Sequence, residues 1–287
     1  MLPENTKLGQ RLEGFVRGLT AAGISWQMCA TVTRWQDDNP EKIQFWGGSR
    51  KWVNYIGSPP WLLTPGAINL SPIFNDTVKA IGSGWANSDD ERGIKAALFH
   101  AEYAEFNNCY RKDAALAVIL ISDEDERSIG GNPGDIYYDN ELKYLDADDF
   151  ASSYVAKIRE KFGINKPFTV NSIIVKPGDN ECMQMQDVGG AKSHFGYHYS
   201  ELSEMTGGAV ASICENDYSA ALSPFKDRIL TSMDSITLDC APVGPIKTSV
   251  TPVMGGYVAK LENNRVIFNP GVPAGRKIKL DYRCSGN

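Results

Sequence analysis

The stretch Ala114-Ala-Leu-Ala-Val-Ile-Leu-Ile-Ser-Asp-Glu-Asp-Glu-Arg-Ser128 decides the fold. Eight apolar residues run without a break, and after one serine come four acids, at positions 123 to 126. The run is too short to cross a membrane. Its Val and Ile content, without a 3.6-residue period, is typical of a strand buried on both faces of a parallel sheet.

The four acids fall at the carboxyl end of that strand, where open α/β sheets place their ligand sites. Concentrated carboxylates suit a hard divalent cation, which prefers oxygen ligands. The other interpretation is an acidic, solvated turn that also caps the next segment. This stretch alone does not separate the two.

Outward from this strand, helix and strand signals alternate, which predicts a doubly wound, mostly parallel α/β sheet with flanking helices. Amphipathic or capped segments predict helices at 5–22, 71–82, from the 82–93 loop to about 107, 147–162, 199–205 and 218–233. Further strands are predicted at 25–33, 168–175 and 209–213. From 242 onward short alternating runs replace the helix signals. We therefore predict two domains, an α/β domain over 1–238 and a small β-rich C-terminal appendage over 239–287.

Composition excludes some function classes. The chain has 287 residues, a net charge of −6 and a pI of about 5.2. Nonspecific nucleic-acid binding needs clustered Lys and Arg, so this balance argues against it. No window of the sequence resembles a transmembrane span, and the polar start does not resemble a signal peptide. If the protein is exported, we expect its targeting segment upstream of Met1.

The six cysteines are dispersed and even in number, as expected for disulfides formed in an oxidising compartment. They form no CxxC and no zinc-type Cys/His spacing; six reduced, buried cysteines are the alternative. By region, the expected pairs are Cys182–Cys214 and Cys240–Cys284, which leaves Cys29–Cys109. This is one of about fifteen possible connectivities.

Other candidate sites carry less chemistry. His194 and His198 have the i, i+4 spacing of a metal pair, but Gly196 lies between them, and surface or aromatic-packed histidines are the commoner case. His100 lies inside a predicted helix and is expected to be structural. No nucleophile elbow or P-loop is present. The Trp- and Gly-rich region 34–66 suits either a recognition surface or a loop pinned by its aromatics.

Three motifs in order resemble a von Willebrand factor type A domain of the exported bacterial branch. They are Ile121-Ser-Asp-Glu-Asp-Glu126, Asp89-Asp-Glu-Arg-Gly-Ile-Lys-Ala-Ala97, and Tyr199-Ser-Glu-Leu-Ser-Glu-Met-Thr-Gly-Gly208 with the following Ser212 to Tyr218 segment. The resemblance covers about residues 1 to 235. It implies a six-stranded sheet and a metal-ion-dependent adhesion site that usually holds Mg²⁺, with Mn²⁺ or Ca²⁺ as substitutes.

The resemblance also implies which residues hold the metal. Asp123 matches the aspartate of the third metal loop. The second loop should supply a Thr, but Ser88 is the closest hydroxyl here, with Ser83 the less favoured choice. Asp125 and Trp85 are assigned to ligand contact at the same face. The Asp-x-Ser-x-Ser motif of the first loop is absent, so we expect this chain to bind metal weakly or not at all.

The missing motif belongs to a central strand, expected just before Met1. Its slot would lie between the predicted strands 25–33 and 114–122, leaving both with unpaired backbone groups. A truncated start is the favoured explanation. An upstream peptide, the appendage, or a strand donated by a second chain could also fill the slot.

The function predicted is therefore a noncatalytic adhesion or ligand-binding module of an exported bacterial protein. It would recognise a protein or glycan through the carboxyl-end face of the sheet, with metal assistance in the intact protein. The alternatives are a metal-dependent hydrolase using Asp123 and Asp125, or a structural surface-appendage subunit without metal.

Overall fold

A computed structural model describes residues 2–33, 46–82, 91–111, 114–127, 136–138, 141–143, 145–164, 166–187, 193–233, 235–238, 240–262, 264–269, 272 and 277–284. The helices are α1 Leu2–Ala21, α2 Leu70–Gly82, α3 Gly93–Glu102, α4 Ala104–Asn107, α5 Ala151–Phe162, α6 Asn180–Gln186, α7 Tyr197–Met205 and α8 Ser219–Met233, with a 3₁₀ turn at Ala147–Asp149. The strands are β1 Leu116–Ser122, β2 Ile136–Tyr138, β3 Glu141–Lys143, β4 Phe168–Ile174, β5 Val210–Ser212, β6 Ser235–Thr237, β7 Lys247–Thr251, β8 Val258–Glu262, β9 Arg265–Asn269 and β10 Lys277–Asp281.

A parallel sheet in the order β1-β4-β5 forms the centre of the α/β part. β1 and β4 pair along their whole length, from Leu116 opposite Phe168 to Ser122 opposite Ile174. The predicted α/β class is confirmed, with three parallel strands among the described residues. The larger sheet implied by the resemblance stays a prediction.

Helices cover both faces of this sheet. Successive side chains of a strand point to opposite faces, so β4 places apolar side chains on each face and both must be covered. Val170 and Ile174 of β4 face one core, which is completed by α3, α5 and α7. Ile173 faces the other core, which is built from α1, α2 and α8. β4 is thus buried between two helical layers, as expected for a strand of a parallel sheet.

Three segments differ from the sequence prediction. The predicted strand 25–33 forms only two isolated bridges, Met28 to Leu63 and Ala30 to Arg50, because no described strand offers it a ladder. Helix α6 and the β2–β3 hairpin lie in segments for which the sequence predicts neither a helix nor a strand. Both are short elements with little periodicity in the sequence.

The C-terminal region is β-rich, as predicted. β8 and β9 pair antiparallel, and β7 pairs with β10 in a second antiparallel sheet. β6 joins the other edge of β9, so this sheet begins at Ser235, before the predicted boundary at 238. Leu238, Val266 and Phe268 form its small buried core.

Disulfides join Cys29 to Cys109, Cys182 to Cys214 and Cys240 to Cys284. This is the connectivity expected from the sequence. Each closes a different region: the approach to the sheet, the segment around α6 and β5, and the appendage. Among the described helices, none is both long enough and apolar enough to cross a membrane.

Candidate site at the carboxyl end of the parallel sheet

Three of the four acids after β1 are buried. Asp123 is 8% exposed, Asp125 2% and Glu126 1%. A solvated acidic turn is therefore wrong for these three residues, although capping is the role that two of them take. Buried carboxylates need hydrogen bonds or cations, so their partners define the chemistry of this face.

Asp125 caps the N-terminus of α7. Its carboxylate accepts hydrogen bonds from the backbone N–H groups of Tyr197 (3.1 Å) and His198 (3.1 Å), and it contacts His198 Nδ1 at 2.8 Å. A carboxylate here also complements the positive end of the helix dipole. Burial by itself lowers the pKa of His198, but the hydrogen bond and charge of Asp125 outweigh it, so the pKa is raised.

Glu126 caps α3 in the same way. Its two oxygens accept from the backbone N–H groups of Ile94 (2.7 Å) and Lys95 (2.9 Å). Burial, followed by the nearby charge of Asp149, raises the pKa of Glu126 well above its ordinary value. One loop after β1 therefore fixes the first turns of two helices that lie on one face of the sheet.

Asp123 and Glu91 form the centre of the face together with two hydroxyls. Thr33 Oγ1 and Ser122 Oγ each donate to Glu91 Oε2 at 3.1 Å. Burial, with the negative charge of Glu91 adding to it, raises the pKa of Asp123. We call Thr33, Glu91, Ser122 and Asp123 the carboxyl-end cluster.

Backbone hydrogen bonds hold the loops around this cluster together. Arg92 N–H donates to Thr33 O and Arg127 N–H donates to Glu91 O, both at 2.6 Å. His194 N–H donates to Asp123 O at 2.9 Å. Segments distant in sequence therefore meet at the end of β1, which is where the sequence placed a ligand site.

Basic residues balance part of the negative charge beside the cluster. Arg92, Lys95 and Arg127 each lie within 3.3 Å of Asp146 Oδ2. Burial tends to raise the pKa of Asp146, but Arg92 and then the other two cations lower it overall. This network lies next to the two helix caps. It involves Asp146, whereas the carboxylate that acts on Asp123 is that of Glu91.

The donor set of the carboxyl-end cluster fits a hard cation, since carboxylate and hydroxyl oxygens are what Mg²⁺, Mn²⁺ and Ca²⁺ prefer. Among the described residues, however, three or more His, Cys, Asp or Glu side chains converge only at Cys29, His100 and Cys109. Two carboxylates alone hold Mg²⁺ poorly against its hydration shell.

The sequence-predicted site residues are placed as follows. Asp123 lies in the cluster, and Asp125 lies beside it as a helix cap. Ser88 and Trp85 lie outside the described residues. Glu91 was not singled out from the sequence, although the acidic run that opens the Asp89-Asp-Glu motif was a signal for it. The metal and ligand-binding assignments stay predictions.

No protein-family model matches this chain, and no curated protein matches it. Among solved structures, the pilus adhesin SpaC from Lactobacillus rhamnosus GG matches at 8% identity and a TM-score of 0.39, over 97% of this chain and 36% of the adhesin. Its open conformation matches at 7% identity and a TM-score of 0.35, with the same coverage. The chain thus spans 36% of the adhesin's length. TM-scores below 0.5 do not establish a shared fold.

Proposed function

We propose that this chain is a noncatalytic ligand-binding module of an exported protein, which recognises a protein or a glycan through the carboxyl-end face of the β1-β4-β5 sheet. The carboxyl-end cluster carries the proposal. It places two acids and two hydroxyls at the carboxyl end of β1, where α/β sheets bind ligands. The three disulfides support an oxidising, extracytoplasmic location.

A divalent cation would be held by Asp123 and Glu91, with the hydroxyl oxygens of Ser122 and Thr33 as neutral donors. The cation would offset part of the electrostatic free-energy cost of burying two carboxylates close together. That cost is reflected in the pKa of Asp123, which burial and the charge of Glu91 raise. When bound, the cation supplies an open coordination position for a ligand carboxylate. In this chain we expect weak binding, and tighter binding in a protein that also contributes an Asp-x-Ser-x-Ser loop.

A strand beside β1 would complete this face. Among the described residues, β1 pairs only with β4, and its other edge meets no strand. Ile119 and Ile121 are only partly buried there. An added strand, from an upstream peptide or a second chain, would cover these side chains and end next to Asp123.

The test is ligand retention on arrays of immobilised glycans and extracellular-matrix proteins, in millimolar Mg²⁺ or in EDTA. We expect the wild-type chain to retain a ligand in Mg²⁺ and lose it in EDTA. Asp123→Asn should lose retention as well. Asp281→Asn, an exposed carboxylate in β10, is the matched control and should behave as wild type.

Each other outcome has a distinct meaning. Retention that Asp123→Asn leaves unchanged would refute the role of this face. Turnover of an ester or phosphoester library, lost in Asp123→Asn, would instead indicate the hydrolase. The hydrolase would require Asp125 as a catalytic carboxylate. In this structure that carboxylate already accepts hydrogen bonds from two backbone amides and one imidazole. A calorimetric Mg²⁺ site of micromolar affinity or better in this chain would contradict the weak binding expected.

A further inference from the structure

The disulfide Cys29–Cys109 has a histidine beside it. Ligand atoms of Cys29, Cys109 and His100 all lie within 4.8 Å of one another. The three residues come from separate parts of the chain, the segment after α1, helix α3 and the segment after α4. His100 is buried, whereas both cysteines are only partly buried. The two cysteines therefore keep some contact with solvent, while His100 is enclosed.

The imidazole of His100 is held on both sides. Its Nδ1 lies 2.8 Å from the Tyr110 hydroxyl, and its Nε2 lies 2.9 Å from Ser49 Oγ. Ser49 Oγ is also 3.8 Å from Cys109 Sγ, so the Nε2 side of the ring faces the disulfide. When Nδ1–H donates to the Tyr110 oxygen, the lone pair of Nε2 is directed to that side. A hydrogen bond at the far nitrogen orients histidine ligands in metal sites.

Backbone packing keeps Ser49 in this position. Gly47 has a φ of +69°, and a Cβ there would come within 2.4 Å of the His100 backbone nitrogen. Only glycine lets this segment lie so close against α3.

We propose that, once this disulfide is reduced, Cys29, Cys109 and His100 form a binding site for Zn²⁺. Two thiolates and one imidazole are a known zinc ligand set, with the fourth position open to water or to Ser49 Oγ. Tetrahedral geometry with Zn–S bonds of about 2.3 Å places the sulfurs about 3.8 Å apart. The two sulfurs would have to separate to that distance, and a ring nitrogen of His100 lies within 4.8 Å of them.

The chemistry balances with a thiol as the reductant. Two thiols R–SH reduce the disulfide to two cysteine thiols and leave as R–S–S–R. Zn²⁺ then displaces two protons from the thiols as it binds the thiolates. In the reverse direction, a disulfide oxidant takes two electrons from the zinc thiolates, becomes two thiolates, and the metal is released as Cys29–Cys109 forms. The site therefore holds metal in a reducing compartment and loses it in an oxidising one.

The experiment uses the whole chain, reduced with a phosphine under nitrogen and titrated with Co²⁺ as a spectroscopic probe for Zn²⁺. We expect one equivalent to bind, with thiolate-to-cobalt charge-transfer absorption. The variant Cys29→Ser/Cys109→Ser should lose it. The matched control, Cys182→Ser/Cys214→Ser, removes a different disulfide and should keep it. Adding a disulfide oxidant should release one equivalent of metal.

His100→Gln separates this site from nonspecific thiol binding, because glutamine keeps a polar group but removes the imidazole. We expect it to weaken Co²⁺ binding by ~100-fold or more. Near-ultraviolet circular dichroism on each reduced variant reports whether it stays folded. A reduced chain that unfolds and binds metal through any thiols would bind equally well with His100→Gln. That result, or a charge-transfer band that persists in Cys29→Ser/Cys109→Ser, would overturn the proposal.

Discussion

β1 and β4 are neighbouring strands of seven residues each, yet they differ in how they are buried. Six of the seven residues of β4 are buried, whereas in β1 only Leu120 and Ser122 are, and Ala117 is exposed. The apolar run in the sequence is in fact stronger in β1, because Thr169, Asn171 and Ser172 interrupt it in β4. The difference arises because β4 has a paired strand on each edge, while β1 has one only on the β4 side within the described part of the chain.

The backbone shows the same contrast. Leu116 N–H donates to Pro167 O across the β1–β4 ladder, so the alternation of a parallel pair turns the N–H groups of Ala117, Ile119 and Ile121 to the other edge. No partner for them lies among the described residues. On β4, by contrast, the outward Val170 N–H donates to Thr206 Oγ1, and Ser172 N–H donates to Ala209 O. β1 is instead fixed at its carboxyl end, by the caps that Asp125 and Glu126 provide.

The largest expected effect concerns core truncation in the two strands. Ile173→Ala in β4 removes a fully buried side chain, and should lower the free energy of unfolding by about 2 to 5 kcal/mol. Ile119 in β1 faces the same core but is only partly buried. Ile119→Ala should therefore lower the free energy of unfolding by clearly less than Ile173→Ala. Urea unfolding of both variants measures this. Equal losses would show that β1 is as enclosed as β4.

The second expectation concerns the backbone edge. The amides of Ile119 and Ile121 should exchange with solvent deuterium at least about 100-fold faster than those of Val170 and Ser172. A hydrogen-bonded amide exchanges only after a local opening breaks its bond, whereas an amide without such a bond does not need that step. Exchange followed by NMR resolves single residues, and Leu120, which faces β4, is the internal control. Slow exchange at Ile119 would mean that the edge is covered. A longer protein or an added peptide that fills the slot should slow Ile119 and Ile121 selectively.

The smallest effect concerns the contact between Asp125, in the loop after β1, and His198 of α7. The pKa of His198 is raised above 6.5 by Asp125, so protonated His198 stabilises the fold. This contribution is complete below about pH 6.5 and is lost as pH rises through the folded-state pKa. His198→Gln should remove about 1 kcal/mol or less of pH dependence between about pH 6 and pH 9. Urea midpoints across this range measure it; an unchanged profile would contradict this contribution. Glu204→Ala, exposed on α7, is the control.

Much of this architecture could be predicted from local patterns. The period of α1 and the continuous apolar run of β1 are visible without a structure, because burial on one or both faces is reflected in the spacing of apolar residues. The strand at 25–33 has the right composition but only two bridges, since a strand needs a neighbour that composition cannot supply.

The site was less predictable, because its contacts join distant segments. Asp125 meets His198 from 73 positions away, so a helix cap could not be told from a metal ligand by spacing. The cluster of Cys29, His100 and Cys109 has no motif spacing and forms only when the fold brings three segments together. The carboxyl end of the strand was predictable as a place, whereas the role of each acid there was not.

The disulfide Cys240–Cys284 has a consequence for proteolysis. It encloses almost all of the appendage, including an exposed loop where Val253 is 91% accessible to solvent. Exposed loop tips are the usual sites of nicking. A single cut there leaves Cys240 on one fragment and Cys284 on the other, still joined by the bridge. A protease can therefore cut the appendage without releasing it from the rest of the chain.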